Sequence, residues 1–266
     1  MRILILGGHG FIGSHTSNLL KEKGHTIGVV DCYHQYFTFP DQEYFSILKL
    51  RKDHANNDKT FIGKIEDESF MSRVFEEFKP DIVMHLATYP NAKMVARNVA
   101  DATTNMVTAT ASILNLCVKS NVKRIVFASS SMAYGEFNGG IPDENVMCNP
   151  NTLYGSYKHQ GERMCQIWKR EHGLEYVIMR PSALYGTRDM VTRVISQMTK
   201  SALTRNQITV QGPENRLDFS NVTDVADAFA RAATIDSAAN EIFNCTRGYG
   251  RTILEAAELV RDTLGK

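Results

Sequence analysis

Seven residues near the N-terminus, G-G-H-G-F-I-G at 7–13, restrict the possible fold more than any other part of the chain. They follow an apolar run, R-I-L-I-L at 2–6, and lead into a helical pattern from Phe11 to Lys23 that Gly24 closes. Glycines at 7, 10 and 13 let the backbone turn tightly and approach a bound group closely. A helix that opens there aims unpaired N–H donors and the positive end of its dipole at that group. A strand, glycine loop and helix in this order suit a diphosphate. The next apolar run, T-I-G-V-V-D, ends at Asp31, eighteen residues after Gly13. A carboxylate there takes the ribose hydroxyls of a dinucleotide and repels a 2′-phosphate, which favours NAD over NADP. His9, inside the loop, is a candidate phosphate contact.

The same alternation continues along the chain. Helical patterns at Glu43–His54, Asp67–Phe78, Ala102–Ser120 and Pro150–His172 separate apolar strand patterns at 60–63, 81–87, 124–129 and 176–180. Strands spaced by helices of this length predict an α/β fold with a doubly wound parallel sheet of Rossmann type. Near-continuous apolar strands agree with burial on both faces. After Arg180 the rhythm loosens. Residues 180–189 read as loop, followed by a helix to about Lys200, a short strand Ile208–Val210, a helix Asp224–Thr234, a strand Glu241–Asn244 and a helix Thr252–Leu264. This organisation predicts a dinucleotide-binding domain over 1–180 and a small, interleaved substrate subdomain over 181–266. Elements near 215–245 return to the first domain.

Charge narrows the partners. The 266 residues carry a formal net charge of +1 and no charge run, so the chain has neither a polyanion track nor a membrane-binding patch. No nucleic-acid or membrane partner is expected. Five cysteines, an odd number with no C-x-x-C spacing, point to reduced thiols, no metal and a cytoplasmic setting. The longest uncharged stretch, Ala102–Val118, contains threonines, asparagines and a serine. It reads as a helix covered on two faces, by the sheet and by a second subunit.

The reactive groups follow. Tyr154 and Lys158 stand four residues apart in N-P-N-T-L-Y-G-S-Y-K, so on a helix they share a face. An ammonium there would favour the phenolate of its neighbour. A tyrosine with an ordinary pKa of about 10 needs such help to act as a base near neutral pH. Upstream lies a hydroxyl cluster, Ser129, Ser130 and Ser131, ending in A-Y-G.

Together these residues resemble the extended short-chain dehydrogenase/reductase family, and within it the NAD-dependent nucleotide-sugar epimerases and dehydratases. The resemblance runs from Arg2 to about Thr234. Its other ordered motifs are H-L-A-T at 85–88, P-D-E-N at 142–145, R-P-S-A-L-Y-G at 180–186 and R-L-D-F-S-N-V-T-D-V-A at 216–226. It implies Tyr154 as catalytic base and Lys158 as its partner. The serine four residues before Tyr134, Ser130, is the third catalytic group. For NAD it implies Gly7, Gly10, Phe11, Ile12, Gly13, Asp31, Ile65, Asp67, Leu86, Ala87, Lys93 and Asn105, together with Tyr154 and Lys158. For the nucleotide-sugar it implies Ser130, Ser131, Tyr154, Ala183 and Arg216. His85 is expected to be a packed strand-end residue. A homodimer is implied.

Departures from the family pattern select among its reactions. Dehydratases place an Asp-Glu pair where this chain has Ser131 and Met132, and uronate decarboxylases keep a Glu at the second of these places. Neither residue here is a carboxylic acid, so elimination of water is disfavoured. Ala183 replaces a frequent asparagine, Leu217 a frequent arginine with Arg216 beside it, and Lys64 a frequent aspartate. The expected reaction is 4-epimerisation of a UDP-sugar through a transient 4-keto sugar. The alternatives are an NAD(P)-dependent sugar-nucleotide or carbonyl reductase, and a dinucleotide-binding regulator without turnover.

Overall fold

The computed structural model describes residues 1–37, 40–137, 142–190 and 193–265. Strand β1 (Arg2–Leu6) lies inside a seven-stranded sheet, and its burial shows why its sequence is apolar from Ile3 onward. Ile3 and Ile5 point into one core, with Leu20 and Phe229. Leu4 and Leu6 point into another, with Phe75, Phe78 and Ile113. Successive strand residues face opposite sides, so a strand covered on both sides must be apolar at every position.

The sheet contains β1, β2 (Thr26–Asp31), β3 (Lys59–Ile62), β4 (Ile82–His85), β5 (Arg124–Ala128), β6 (Glu175–Pro181) and a later strand, β10 (Glu241–Cys245). All pair in parallel, in the order β10-β6-β5-β4-β1-β2-β3. Helix α1 (Phe11–Glu22) covers one face; α2 (Asp41–Ala55) packs beside it, and α3 (Glu68–Phe78) covers the other face. The chain runs outward from β1 through β2 to β3, then crosses back to β4 on the other side of β1. Loops leaving β1 and β4 therefore diverge and open a crevice at the carboxyl ends of these strands, where open α/β sheets bind ligands.

After β4 a short helix that the sequence did not suggest, α4 (Ala92–Arg97), precedes α5 (Val99–Thr103), a π-helical turn at Thr104–Thr108 and α6 (Ala109–Lys119). These last three correspond to the single helix expected at 102–120. The turn places Asn105 and Met106 inward. Helix α7 (Leu153–His172) starts at a Thr152 cap, whose hydroxyl accepts from Gly155 N at 3.1 Å, and ends at Gly173 with φ +78°. A later helix, α9 (Val222–Thr234), packs beside α1.

Residues 183–185, expected as loop, form β7 (Ala183–Tyr185), which pairs in parallel with β9 (Phe219–Asn221). Helices α8 (Val194–Arg205) and α10 (Ile253–Thr263) pack together around Met198, Ile253 and Ala257. A two-residue ladder joins β8 (Arg216–Leu217) to β11 (Arg251–Thr252). The strand expected at Ile208–Val210 does not form. Ile208 and Val210 have no neighbouring strand and pack their side chains on the α8–α10 cluster. No helix among the described residues is long and apolar enough to cross a membrane.

Candidate active site

A cleft of about 590 Å³ occupies the crevice, within the usual range of small-molecule and cofactor sites. Its nucleotide end is the loop between β1 and α1. Gly7 has φ +77°, and a Cβ on Gly13 would lie 2.4 Å from the Gly7 carbonyl oxygen, so the loop tolerates no side chain at either position. The first turn of α1 has no side-chain cap and no acidic residue. Its N–H groups and dipole are left to an anion.

Asp31 lines the cleft at the end of β2. Its Oδ2 accepts from the His9 backbone N–H at 3.1 Å and its Oδ1 from Tyr33 N at 2.9 Å, which fixes the carboxylate. The His9 ring is committed elsewhere: Nδ1 meets the Tyr33 hydroxyl at 3.1 Å and Nε2 meets Asn57 Oδ1 at 3.0 Å. It braces the loop against its neighbours, which corrects the suggestion that the ring meets a phosphate.

Gly7, Gly10, Phe11, Ile12 and Gly13 line the cleft from the loop; Ile65, Leu86, Ala87 and Asn105 line it from after β3, after β4 and from the π turn. Asn105 Nδ2 donates to Glu66 Oε1 at 2.9 Å. Asn105 Oδ1 and Thr88 Oγ1 are buried without a partner, and both residues line the cleft. Buried polar atoms are normally satisfied, so these two await groups from a ligand. The glycine cradle, the uncapped helix, Asp31 and these two atoms together fit a dinucleotide.

Three expected contacts lie outside this lining. Asp67 caps α3, accepting from Phe70 N at 2.9 Å, and the carboxylate beside it, Glu66, faces the cleft instead. Lys93 is on α4 but does not line the cleft. Arg216 is exposed and donates to the Gly250 carbonyl at 3.0 Å, while its neighbour Leu217 lines the cleft. Alternation along β8 sends adjacent side chains to opposite sides.

At the other end, Tyr154, Ser130 and Lys158 converge, with Ser131 and Ala183 also on the wall. The Ser130 hydroxyl lies near enough to the Tyr154 phenol to favour its ionised form, and it accepts from Met132 N at 3.2 Å. Lys158 is buried. Its Nζ donates to the Ala128 carbonyl at 2.6 Å and lies 5.8 Å from the centroid of the Tyr154 ring. Burial drags its pKa down to about 7, against the pull of Glu162. Burial also pushes the Tyr154 phenol up to about 12, opposed by the Ser130 hydroxyl and then by the charge of Arg193. The expectation that Lys158 lowers the phenol pKa is therefore not met here. A buried lysine that readily sheds its proton brings little charge to its neighbour.

Behind this group, Glu162 ties α7 to the sheet. Arg180 holds it through Nε and Nη2 at 2.8 and 2.6 Å, and the Ser129 hydroxyl donates to it. Glu162 also lies near Cys148 and His159, but Arg180 already neutralises it, which makes the cluster an ion pair and not a cation cradle. His85 is a buried strand-end residue, 3.0 Å from Thr110 Oγ1, with its pKa lowered to about 3 by burial and then by Lys158. The sequence signalled Glu162 by its position four residues after Lys158. Nothing local signalled Glu66, Arg51 or Arg193, which the fold brings to the cleft from separate segments.

With this geometry established, comparison with known proteins places the chain. Residues 3–246 match the NAD dependent epimerase/dehydratase family. The chain belongs to that family, whose members act on nucleotide-sugars. It is 31% identical to a putative UDP-glucose 4-epimerase of Methanocaldococcus jannaschii, over 99% of this chain and 82% of the relative. The structure of a UDP-glucose 4-epimerase from Thermotoga maritima with UDP-glucose superimposes with a TM-score of 0.87 at 29% identity, covering 100% of this chain and 83% of that one. A Thermus thermophilus UDP-glucose 4-epimerase in complex with NAD gives 0.86 at 25% identity, covering 100% and 84%.

Proposed function

We propose that this protein inverts the configuration at C4 of a UDP-sugar and retains its NAD through the cycle. The observation that carries this reading is the makeup of the reacting end of the cleft. A phenol and a serine hydroxyl stand beside a buried lysine, and among the described residues no carboxylic acid lines that end of the cleft. The carboxylates that line the cleft among the described residues are Asp31 and Glu66, both at the β2–β3 side. An acid–base group for a hydroxyl is thus present, while the acid pair that elimination of water requires is absent.

When bound, NAD supplies the reversible hydride chemistry. The chain supplies orientation and proton transfer. Tyr154 takes the proton of the 4-hydroxyl and later returns one to the same oxygen. Ser130 holds that oxygen and the phenol in register. Lys158, on the turn of α7 below Tyr154, orients the nicotinamide ribose. Ser131 and Ala183 line the sugar side, and their small side chains leave room for the ring to turn over. The M. jannaschii relative and the T. maritima structure support UDP-glucose as the first substrate to try. Incubation with a panel of UDP-, dTDP- and GDP-sugars, followed by proton NMR of the products, tests the reading. C4 inversion of a UDP-sugar is expected. A 4-keto-6-deoxy product would refute it.

A further inference from the structure

Two arginines that no motif includes meet at the mouth of the glycine loop. Arg51 comes from α2 and Arg193 from the residue that precedes α8. Both guanidiniums lie over the ring of Phe11, the first residue of α1, with Cζ at 5.5 and 5.0 Å from its centroid. Both residues line the cleft. Arg51 is 5% exposed, and its Nε donates to the Arg188 carbonyl at 2.8 Å. Among the described residues it has no carboxylate partner. Arg193 pairs with Asp189, whose other oxygen accepts from Ser196 Oγ at 2.6 Å.

The two guanidiniums face Asp189 and, from the end of β2, Asp31, beside a helix N-terminus that is itself positive. Burial, and after it the repulsion of Arg193, lower the Arg51 pKa to about 10 against the pull of Asp189 and Asp31. An anion at the start of α1 would relieve that repulsion. The Phe11 ring fixes the place, because its own backbone N–H begins the diphosphate site.

We propose that Arg51 and Arg193 clamp the diphosphate of the bound dinucleotide, closing over it from α2 and from the start of α8. This rests on the NAD reading given above and extends it: the clamp keeps the cofactor in place between turnovers. Arg193 also acts electrostatically on Tyr154, so it spans the space between the diphosphate and the reacting end.

The test is Arg193→Gln, with Arg51→Gln as a second variant and thermal melting as the check on folding. Binding of NAD, ADP and adenosine to cofactor-stripped protein is measured by calorimetry, and binding of UDP to NAD-loaded protein. Loss of a charge-assisted contact predicts about ten- to a hundredfold weaker binding of NAD and ADP. Adenosine, without phosphate, should bind as before, and UDP should change less than twofold. If NAD binds Arg193→Gln as tightly as the parent protein, the clamp is refuted. If the loss falls on UDP alone, Arg193 serves the substrate and the proposal is wrong. Equal losses for ADP and adenosine would mean a distorted pocket and also overturn it. If the parent protein binds no NAD, the underlying reading fails, a result distinct from the other three. Should Arg51→Gln not fold, Arg193→Gln, at a half-exposed position, decides alone.

Discussion

Replacing Ser130 by alanine isolates the part of the mechanism that depends on one hydroxyl. The phenol of Tyr154 is buried and its pKa stands at about 12, with Ser130 the first influence holding it down. A hydrogen bond to an ionised partner contributes about 1.5–3 kcal/mol. One pKa unit corresponds to about 1.4 kcal/mol. Ser130→Ala should therefore move the ionisation of Tyr154 upward by about one to two units. At any pH below that ionisation the phenolate population, and with it kcat/KM, should fall by about ten- to a hundredfold. Tyr154→Phe removes the proton acceptor itself and should cost about a hundred- to ten-thousandfold. Ser131→Ala should cost least, since Ser131 lines the cleft without a hydrogen bond to the phenol. Steady-state pH profiles of the three variants on an identified UDP-sugar provide the assay. Melting curves control for the loss of the Met132 N–H acceptor at 3.2 Å. A kcat/KM that rises with pH along the same line in Ser130→Ala as in the parent protein would refute the assigned role of the hydroxyl. If Ser131→Ala is the crippled variant, the alignment through Tyr134 is wrong.

Cofactor choice follows from Asp31, both of whose oxygens are fixed by backbone N–H groups: NAD should bind more tightly than NADP in parallel titrations, and Asp31→Ala should narrow the gap. Assembly should be dimeric, through the outer face of the uncharged stretch Ala102–Val118, where Thr104, Thr108 and Asn115 are exposed, and through α7; sedimentation at micromolar concentration showing only monomer would count against this. Lys158 makes the cofactor-free protein pH-sensitive. Its folded pKa of about 7 lies below the ordinary 10.5, so between these values the unfolded chain binds more protons and stability rises with pH, by at most about 1.4 kcal/mol per unit. The melting temperature should therefore gain more between pH 7 and 9 in the parent protein than in Lys158→Met.

The parts of the fold and site that were readable from sequence are those encoded locally. The glycine loop, Asp31 and the strand–helix alternation each lie within a few dozen residues, and period-two and helical patterns expose them. Tyr154 and Lys158 are one helical turn apart, so their common face is legible before any tertiary contact is known. Residues that failed or were missed depend on contacts across the chain. Asp67 was drawn to a helix cap and Glu66 took the inward position, a difference of one residue that spacing does not resolve. Leu217 lines the cleft in place of Arg216 because a two-residue ladder with β11 sets which one faces it. The π turn at Thr104–Thr108 has no sequence signature, yet it orients Asn105. Arg51 and Arg193 are brought together only by the packing of α2 beside α1 and by the position of α8. The lowered pKa of Lys158 is not legible for a similar reason: its desolvation depends on Phe127 and the sheet beneath it, and sequence spacing reveals the partner but not the burial.

The most direct test uses UDP-glucose carrying deuterium at C4, incubated with purified protein without added dinucleotide. NMR should find UDP-galactose with the label still on C4 and inverted configuration, and no net rise in absorbance at the wavelength of the reduced cofactor. Label recovered in released reduced cofactor, or product formed only when dinucleotide is added in stoichiometric amount, would contradict retention of the cofactor and show a dehydrogenase that exchanges it instead.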